Sequence, residues 1–318
     1  MDIRGMTFLI TGISGFVGPY LASHLLERGH IVYGLAHTKT DKCAKGVKYL
    51  HGDLRNINDL VSLQSYNFAG VFHLAALTHP PTSFKEPRLY FETNALGTVN
   101  LCEVLGENSI IMQCSSPEVY GVCPQREIFE SFPMNPVSPY AVSKAASDLY
   151  ILERTKSKRL KAFITRAGSH TGAGRPSCYS ISSDAAQIIR IKRGLQKPVL
   201  RVGNINSQRA VMDVRDVVAA YYKLMIKYIL GGIRNGDIFH ISGHNLQTIE
   251  YYIDLMMNLA NVKAEKVADK NLVRRIDIPV QILNSDKTRS IISWKPKIPI
   301  EETLGELLDY WEKIIDGN

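Results

Sequence analysis

Met6-Thr-Phe-Leu-Ile-Thr11, an apolar and β-prone run, opens directly into Gly12-Ile13-Ser14-Gly15-Phe16-Val17-Gly18, with glycines three residues apart. Tyr20, Leu21, Leu25 and Leu26 follow at helical spacing as far as Gly29, a helix stop. The unit is strand, glycine loop, helix. Outward from it, residues 30–36, 47–50, 70–74, 109–114 and 162–165 read as further short strands, and residues 56–64, 88–105 and 139–154 carry helical patterns between them. Strands alternating with helices predict α/β architecture, a doubly wound parallel sheet covered on both faces. The expected division is a Rossmann-type domain over residues 1–165, rejoined by segments near 205–243. A smaller, interleaved α/β lobe is expected mainly over 166–318, where the pattern loosens into Ala167-Gly-Ser-His-Thr-Gly-Ala-Gly-Arg175-Pro176, becomes helical at 182–194 and strand-like at 237–242.

Each loop glycine has a separate physical task. Gly12 permits the tight turn leaving the strand, Gly15 lets the backbone approach a pyrophosphate, and Gly18 lets the helix pack close to the sheet, where its N-terminal N–H groups face the phosphates. A dinucleotide is the expected occupant, with Ser14, Phe16 and Val17 lining the same loop. An acidic residue at the end of the second strand would hold a ribose 2′-hydroxyl; here Leu35-Ala36-His37-Thr38-Lys39 has none, and His37 with Lys39 favours NADP over NAD. Asp53, beside Leu54 after the third strand, is placed to accept from an adenine amino group.

The composition narrows the function classes. Hydrophobic residues make up 45% and charged residues 21% of 318 residues, which is globular composition and neither disordered nor fibrous. Five cysteines form no C-x-x-C pair, so neither a disulfide framework nor a thiolate zinc site is indicated, and no metal site is expected. The apolar start is too short for a signal-peptide core, and no apolar run approaches membrane-spanning length; a cytoplasmic protein with reduced thiols and no membrane partner is expected. Lys and Arg exceed Asp and Glu by 38 to 30, a net charge of +8. Its densest patch, residues 156–161, reads as an exposed helix end without the interleaved aromatics that stack on bases, so nucleic acid is not the expected partner.

Two segments carry acid–base chemistry. Ser138-Pro139-Tyr140-Ala-Val-Ser-Lys144 starts a helix in which the i, i+4 spacing puts Tyr140 and Lys144 on one face. A nearby ammonium would favour the phenolate of Tyr140. Cys114-Ser115-Ser116-Pro117-Glu118 follows a strand end, where open α/β sheets place ligands. Ser116 can hold a substrate hydroxyl, and Glu118 can serve as a second acid or base.

Taken together, the Gly-x-x-Gly-Phe-x-Gly loop, His73-Leu74-Ala75-Ala76, Asn94-Ala-Leu-Gly97-Thr98, the Ser116 segment and Tyr140-x-x-x-Lys144 resemble the extended short-chain dehydrogenase/reductases that modify nucleotide sugars. Within that family the chain is similar to GDP-mannose 4,6-dehydratase and GDP-4-keto-6-deoxymannose reductase. Ala76-Leu-Thr78-His79 through Ser83-Phe84 to Pro87, and Ser116-x-Glu118, resemble the dehydratase, while the C-terminal Trp294 segment and the shortish chain lean toward the reductase. The resemblance implies a GDP-sugar 4,6-dehydratase recycling NADP, with a GDP-4-keto-6-deoxy-sugar reductase or a nucleotide-sugar epimerase as alternatives, and a homo-oligomer. It implies that Leu54, Leu74, Ala75, Ala76, His170 and Arg175 join the cofactor site, with Lys144 on the nicotinamide ribose. Thr78, His79, Ser116, Arg209 and Arg274 are implied to face the sugar nucleotide. Ser169, Ala210 and the absence of twin arginines after Leu35 depart from the dehydratase pattern.

Overall fold

The computed structural model describes residues 3–38, 44–123, 127–273 and 276–317. The first strand, β1 (Thr7–Thr11), alternates its side chains between two cores: Phe8 and Ile10 pack on one side of the sheet, Leu9 on the other. Beside it lie β2 (Ile31–Ala36) and then β3 (Lys48–His51); on its other side lie β4 (Gly70–His73), β5 (Ile110–Cys114), Lys161–Ala167 and Ile238–Ile241. All seven pair in parallel. A sheet buried on both faces needs apolar residues on both, and β1 and β4 supply them. Helix α1 (Val17–Leu26) and the helix Val214–Ile229 cover one face through Leu21, Leu25, Val217, Tyr221 and Leu224. Leu101, Leu105 and Ile151 cover the other.

The chain leaves β1 toward β2 and β3, and from β3 returns past β1 to β4, so the strand order reverses between β1 and β4, where ligands bind in such sheets. Their carboxyl ends are locked together. Thr11 Oγ1 accepts from the Ala75 backbone N–H at 3.1 Å and bonds His73 Nδ1 at 2.7 Å. Thr98 Oγ1 donates to the Asn94 carbonyl, so it accepts from His73 Nε2 at 3.0 Å. Burial lowers the His73 pKa to about 3, which keeps the ring neutral in this relay.

The helix expected over residues 88–105 is broken into Pro87–Phe91, a π-turn at Glu92–Leu96, and Gly97–Leu105. Asn94 sits in the wide turn, and the cause lies in its hydrogen bonds. Its carbonyl accepts from Thr98 and Ser147 hydroxyls, while its amide side chain bonds Leu77 through both N–H and C=O and donates to Ser143 at 2.9 Å.

The second lobe has its own core. Helices Ser180–Lys192, Ile249–Ala260 and Ile300–Asp316 pack around Ile181, Ile188, Tyr252, Met256, Leu304 and Leu307. A four-stranded sheet of Gln247–Thr248, Gln208–Arg209, Val280–Leu283 and Glu127–Ile128 joins it to the first half, since Glu127–Ile128 is borrowed from upstream. Among the described residues no helix is long and apolar enough to cross a membrane.

Asp184 lies in this lobe, 4% exposed, and burial pushes its pKa to about 7 from 3.8. A carboxyl whose folded pKa is raised stabilises the fold at low pH and penalises it increasingly as pH rises from about 4 through 7. Asp184→Asn is therefore expected to raise stability at pH 8 by on the order of 3 kcal/mol and to change it little at pH 4. Thermal melts of both proteins at the two pH values check this; an equal effect at both would contradict it.

Candidate active site

The glycine loop is shaped as a cradle that side chains would fill. Gly12 has φ +70°, and a Cβ there would stand 2.7 Å from the Ala75 Cα; at Gly18 a Cβ would stand 2.5 Å from the Ile13 carbonyl oxygen. At Gly15 it would lie 3.2 Å from the Gly12 carbonyl. Helix α1 starts at Val17 with no side chain capping it, which leaves its N-terminal dipole to a ligand. Shape and donors both fit a dinucleotide pyrophosphate.

The loop after the strand Lys161–Ala167 closes over this cradle. Tyr20 donates to the Ala173 carbonyl at 2.7 Å, and Phe16 stacks on His170 with ring centroids 6.2 Å apart. The Arg175 guanidinium lies 4.9 Å from the Phe16 ring and 3.7 Å from that of Tyr179. Burial lowers the His170 pKa to about 4. The structure thus brings His170 and Arg175 to the glycine loop, by way of an aromatic stack that a glycine pattern cannot reveal.

At the other end of the crevice, Ser116 opens a 3-10 turn, Pro117–Tyr120, and its hydroxyl accepts from the Glu118 N–H at 3.2 Å. The same hydroxyl lies near the Tyr140 phenol, close enough to act on its ionisation. Tyr140 begins the helix Pro139–Lys156, whose N-cap Ser138 accepts from the Ala141 N–H. One turn on, Lys144 is 3% exposed and donates from Nζ to the Cys114 carbonyl at 2.5 Å. Ser116, Glu118, Tyr140 and Lys144 therefore surround the carboxyl end of β5.

One expectation is reversed. Lys144 was expected to lower the Tyr140 pKa, but burial pushes that phenol up, above the ordinary tyrosine range, and the Glu118 charge pushes it the same way against the nearby Ser116 hydroxyl. Burial also lowers the Lys144 pKa. A desolvated phenol resists ionisation more strongly than an ammonium turned onto a carbonyl can favour it. Burial thus disfavours ionisation of the Tyr140 phenol.

Tyr179 joins the two ends. Its hydroxyl bonds Thr78 Oγ1 at 2.5 Å, its ring meets His79 edge-on at 5.9 Å, and the Arg175 guanidinium lies over that ring. No local motif marks it, because Thr78 and His79 lie about a hundred residues away. His79 is oriented by Thr82 at 2.7 Å and through its carbonyl by the Tyr90 hydroxyl. Leu54 packs against Gly97, its carbonyl held by Asn100, and Leu74 to Ala76 form the rim opposite Gly12.

Other residues sit apart from this centre. Asp53, expected to accept from adenine, has both carboxylate oxygens bonded by Arg55, whose guanidinium reaches 2.5 Å; His37 lies close enough to act on its charge. Arg55 is a cation at the β2–β3 end that the strand-end pattern missed. Arg209 donates to the carbonyls of Gln208 and Ile278, both at 2.7 Å, which fixes its fork in the second lobe. Lys39 and Arg274 lie outside the described residues. Among the described residues no three His, Cys, Asp or Glu side chains group to hold a metal.

A parallel sheet with a strand-end switch point, a glycine cradle and a Ser–Tyr–Lys set define an extended short-chain dehydrogenase/reductase. Within that class, residues 9–307 match the family model described as GDP-mannose 4,6 dehydratase, and the chain belongs to this family. It is 32% identical to GDP-6-deoxy-D-mannose reductase of Pseudomonas aeruginosa over 308 residues, covering 95% of this chain and 96% of that protein. It is 25% identical to GDP-mannose 4,6 dehydratase 1 of Arabidopsis thaliana, covering 95% and 88% respectively. A solved structure, RMD from Pseudomonas aeruginosa complexed with NADPH, superposes with a TM-score of 0.85 at 30% identity, over 97% of this chain and 99% of that one.

Proposed function

We propose that the chain reduces a GDP-linked 4-keto-6-deoxy sugar, with NADP as its cofactor and NAD as the weaker alternative. The observation that carries the reading is the buried Tyr140 phenol, set between the Ser116–Glu118 turn and Lys144 one helical turn on, since reduction of a ketone needs a proton donor at the nascent alkoxide. The end-to-end match to the Pseudomonas reductase supports it. In this reading the Rossmann-type half holds the dinucleotide and the second lobe the sugar nucleotide. NADPH, when bound, supplies the hydride. Ser116 holds the C4 oxygen, Tyr140 gives it a proton, and Lys144 bonds the nicotinamide ribose. His170, Arg175 and the Gly12–Gly18 loop hold the dinucleotide. Thr78 and His79 border the sugar, and Arg209, its fork held by the Gln208 and Ile278 carbonyls, supplies positive charge toward the diphosphate.

Glu118 favours a second reading, 4,6-dehydration of GDP-mannose, because its charge acts directly on Tyr140. There Tyr140 would take the C4 hydroxyl proton, with bound NADP as acceptor of the C4 hydride, and Glu118 would remove the C5 proton and pass it to the departing C6 hydroxyl as water. Return of that hydride to C6 and of the Tyr140 proton to C5 would complete the step. One experiment separates the two. NADPH consumption on GDP-4-keto-6-deoxymannose, with Glu118→Gln within about threefold of wild type, is expected for reduction. Formation of a 4-keto-6-deoxy product from GDP-mannose with catalytic NADP, lost on the order of 10²-fold in Glu118→Gln, would replace it by dehydration.

Arg55, paired to Asp53 near His37, is proposed to meet the 2′-phosphate. Arg55→Ala is expected to raise KM for NADPH by roughly tenfold, the loss of one charge-assisted contact, and to leave KM for NADH unchanged. Equal changes for both cofactors would remove Arg55 from that role. Homo-oligomerisation is part of the same proposal, supported by exposed Phe91, Val142 and Leu149 on the helices Pro87–Phe91 and Pro139–Lys156; sedimentation of the purified chain tests it.

A further inference from the structure

Directly behind the Ser116–Glu118 turn lies a polar chain with almost no exposure: Asp148 is 0% and Arg166 1% exposed. Arg166 donates from Nε and Nη2 to Asp148 Oδ2 at 3.0 and 2.7 Å, and Ser115 Oγ donates to the same oxygen at 2.8 Å. Arg166 Nη1 donates to the Tyr120 hydroxyl at 2.6 Å, its carbon lying 4.8 Å from that ring. Tyr120 in turn bonds His240 Nε2 at 2.6 Å. The directions are determined by chemistry. His240 Nδ1 faces the Asn284 carbonyl at 3.0 Å, so it carries the proton, Nε2 accepts, and Tyr120 donates. Every link from the catalytic helix to Asn284 is thereby assigned.

The placement of these groups is the informative part. Ser115 and Tyr120 bracket Ser116-Pro117-Glu118, so the turn is held at both ends by the one ion pair. Asp148 lies on the helix of Tyr140, two turns after it. Asn284 directly follows Val280–Leu283, the strand that pairs with Gln208–Arg209, and Arg209 also bonds the Ile278 carbonyl. The same chain therefore ties the turn bearing Glu118 to the strand bearing Arg209. For stability alone, apolar side chains of similar volume would serve as well as a buried ion pair; what the pair adds is direction.

We infer that Asp148, Arg166, Tyr120 and His240 are positioning residues that hold the Ser116–Glu118 turn against Tyr140 and register it to the second lobe through Asn284. The functional part of this inference rests on the reading of Ser116 and Tyr140 given above. A displacement of about 1 Å at a reacting group can cost 10²-fold in rate, which is the leverage such a device has.

Tyr120→Phe removes one hydroxyl and keeps the ring among Val119, Ile128 and Leu283. Expected are a fall in kcat of at least about tenfold, KM for NADPH within twofold, and faster amide hydrogen exchange at residues 115–121 with residues 214–229 unchanged. Ser115→Ala, a milder change, should act in the same direction. An unchanged kcat in both variants of an active enzyme overturns the inference, as does exchange that quickens uniformly along the chain, the mark of a merely structural role. If wild-type protein turns over no GDP-sugar, the functional reading fails separately, and exchange alone decides whether the network holds the turn: local acceleration supports it, unaltered exchange at 115–121 overturns it.

Discussion

Tyr140→Phe is expected to lower turnover by about 10³-fold while leaving NADPH affinity within threefold. The phenol is the proton donor in the proposed reduction, and Phe keeps the ring that meets Tyr90 edge-on at 6.4 Å, so the helix start should survive. Steady-state kinetics paired with NADPH fluorescence titration separates the two parameters; an equal loss in both would mean that the substitution damaged the cradle. The pH profile follows with a definite sign. Burial and Glu118 hold the phenol above its ordinary range, so the acid form prevails across neutral pH and is depleted only on the alkaline side. The reduction rate attributable to Tyr140 should stay flat from about pH 6 to 10 and fall only above tyrosine's ordinary pKa of about 10. A rate that instead climbs steadily between pH 6 and 9 would indicate a phenolate acting as base, and so the oxidative direction.

The features legible in the sequence share a common property: each is local. Gly12, Gly15 and Gly18 announce a strand–loop–helix unit because the left-handed turn at Gly12 and the crowding at Gly15 and Gly18 are set within the loop itself, though the Ala75 backbone that closes on Gly12 is not, and Tyr140 with Lys144 follows from helical pitch. Ser116 was legible as a strand-end hydroxyl, yet its double position, accepting from the Glu118 N–H while lying near the Tyr140 phenol, depends on two segments meeting. The second lobe was hardest to read. Gln208–Arg209, Gln247–Thr248 and Glu127–Ile128 are two residues long, too short for alternation to show. Asn94 looks like any polar helix residue until its side chain is seen replacing a backbone partner for Leu77. Tyr179 was missed because it bonds Thr78 from about a hundred residues away, and Arg55 because its partner Asp53 two residues before it reads as an ordinary turn former.

The largest stability effect is expected at Arg166. Replacing it by Met leaves Asp148, fully buried, with Ser115 as its remaining partner, and breaking a buried ion pair from one side costs about 3–5 kcal/mol. Arg166→Met should therefore lower Tm by on the order of 10 °C. Adding Asp148→Leu removes the uncompensated charge and should restore most of that loss, because the cost lies in the orphaned carboxylate and not in absent attraction. Restoration should stop short of complete. Ser115 loses its acceptor and the Tyr120 hydroxyl loses the Arg166 donor while still donating to His240, and each unmade buried bond retains a penalty of about 1 kcal/mol. The measurement is a double-mutant cycle in Tm and in urea midpoint. If the double variant is no more stable than Arg166→Met, the guanidinium stabilises the fold through its contacts with the Tyr120 hydroxyl and the Met134 sulfur, 3.5 Å from Nη2, rather than by neutralising Asp148. If the double variant recovers stability but not turnover, the ion pair serves to aim the Ser116–Glu118 turn, a service that apolar replacements of equal volume cannot perform.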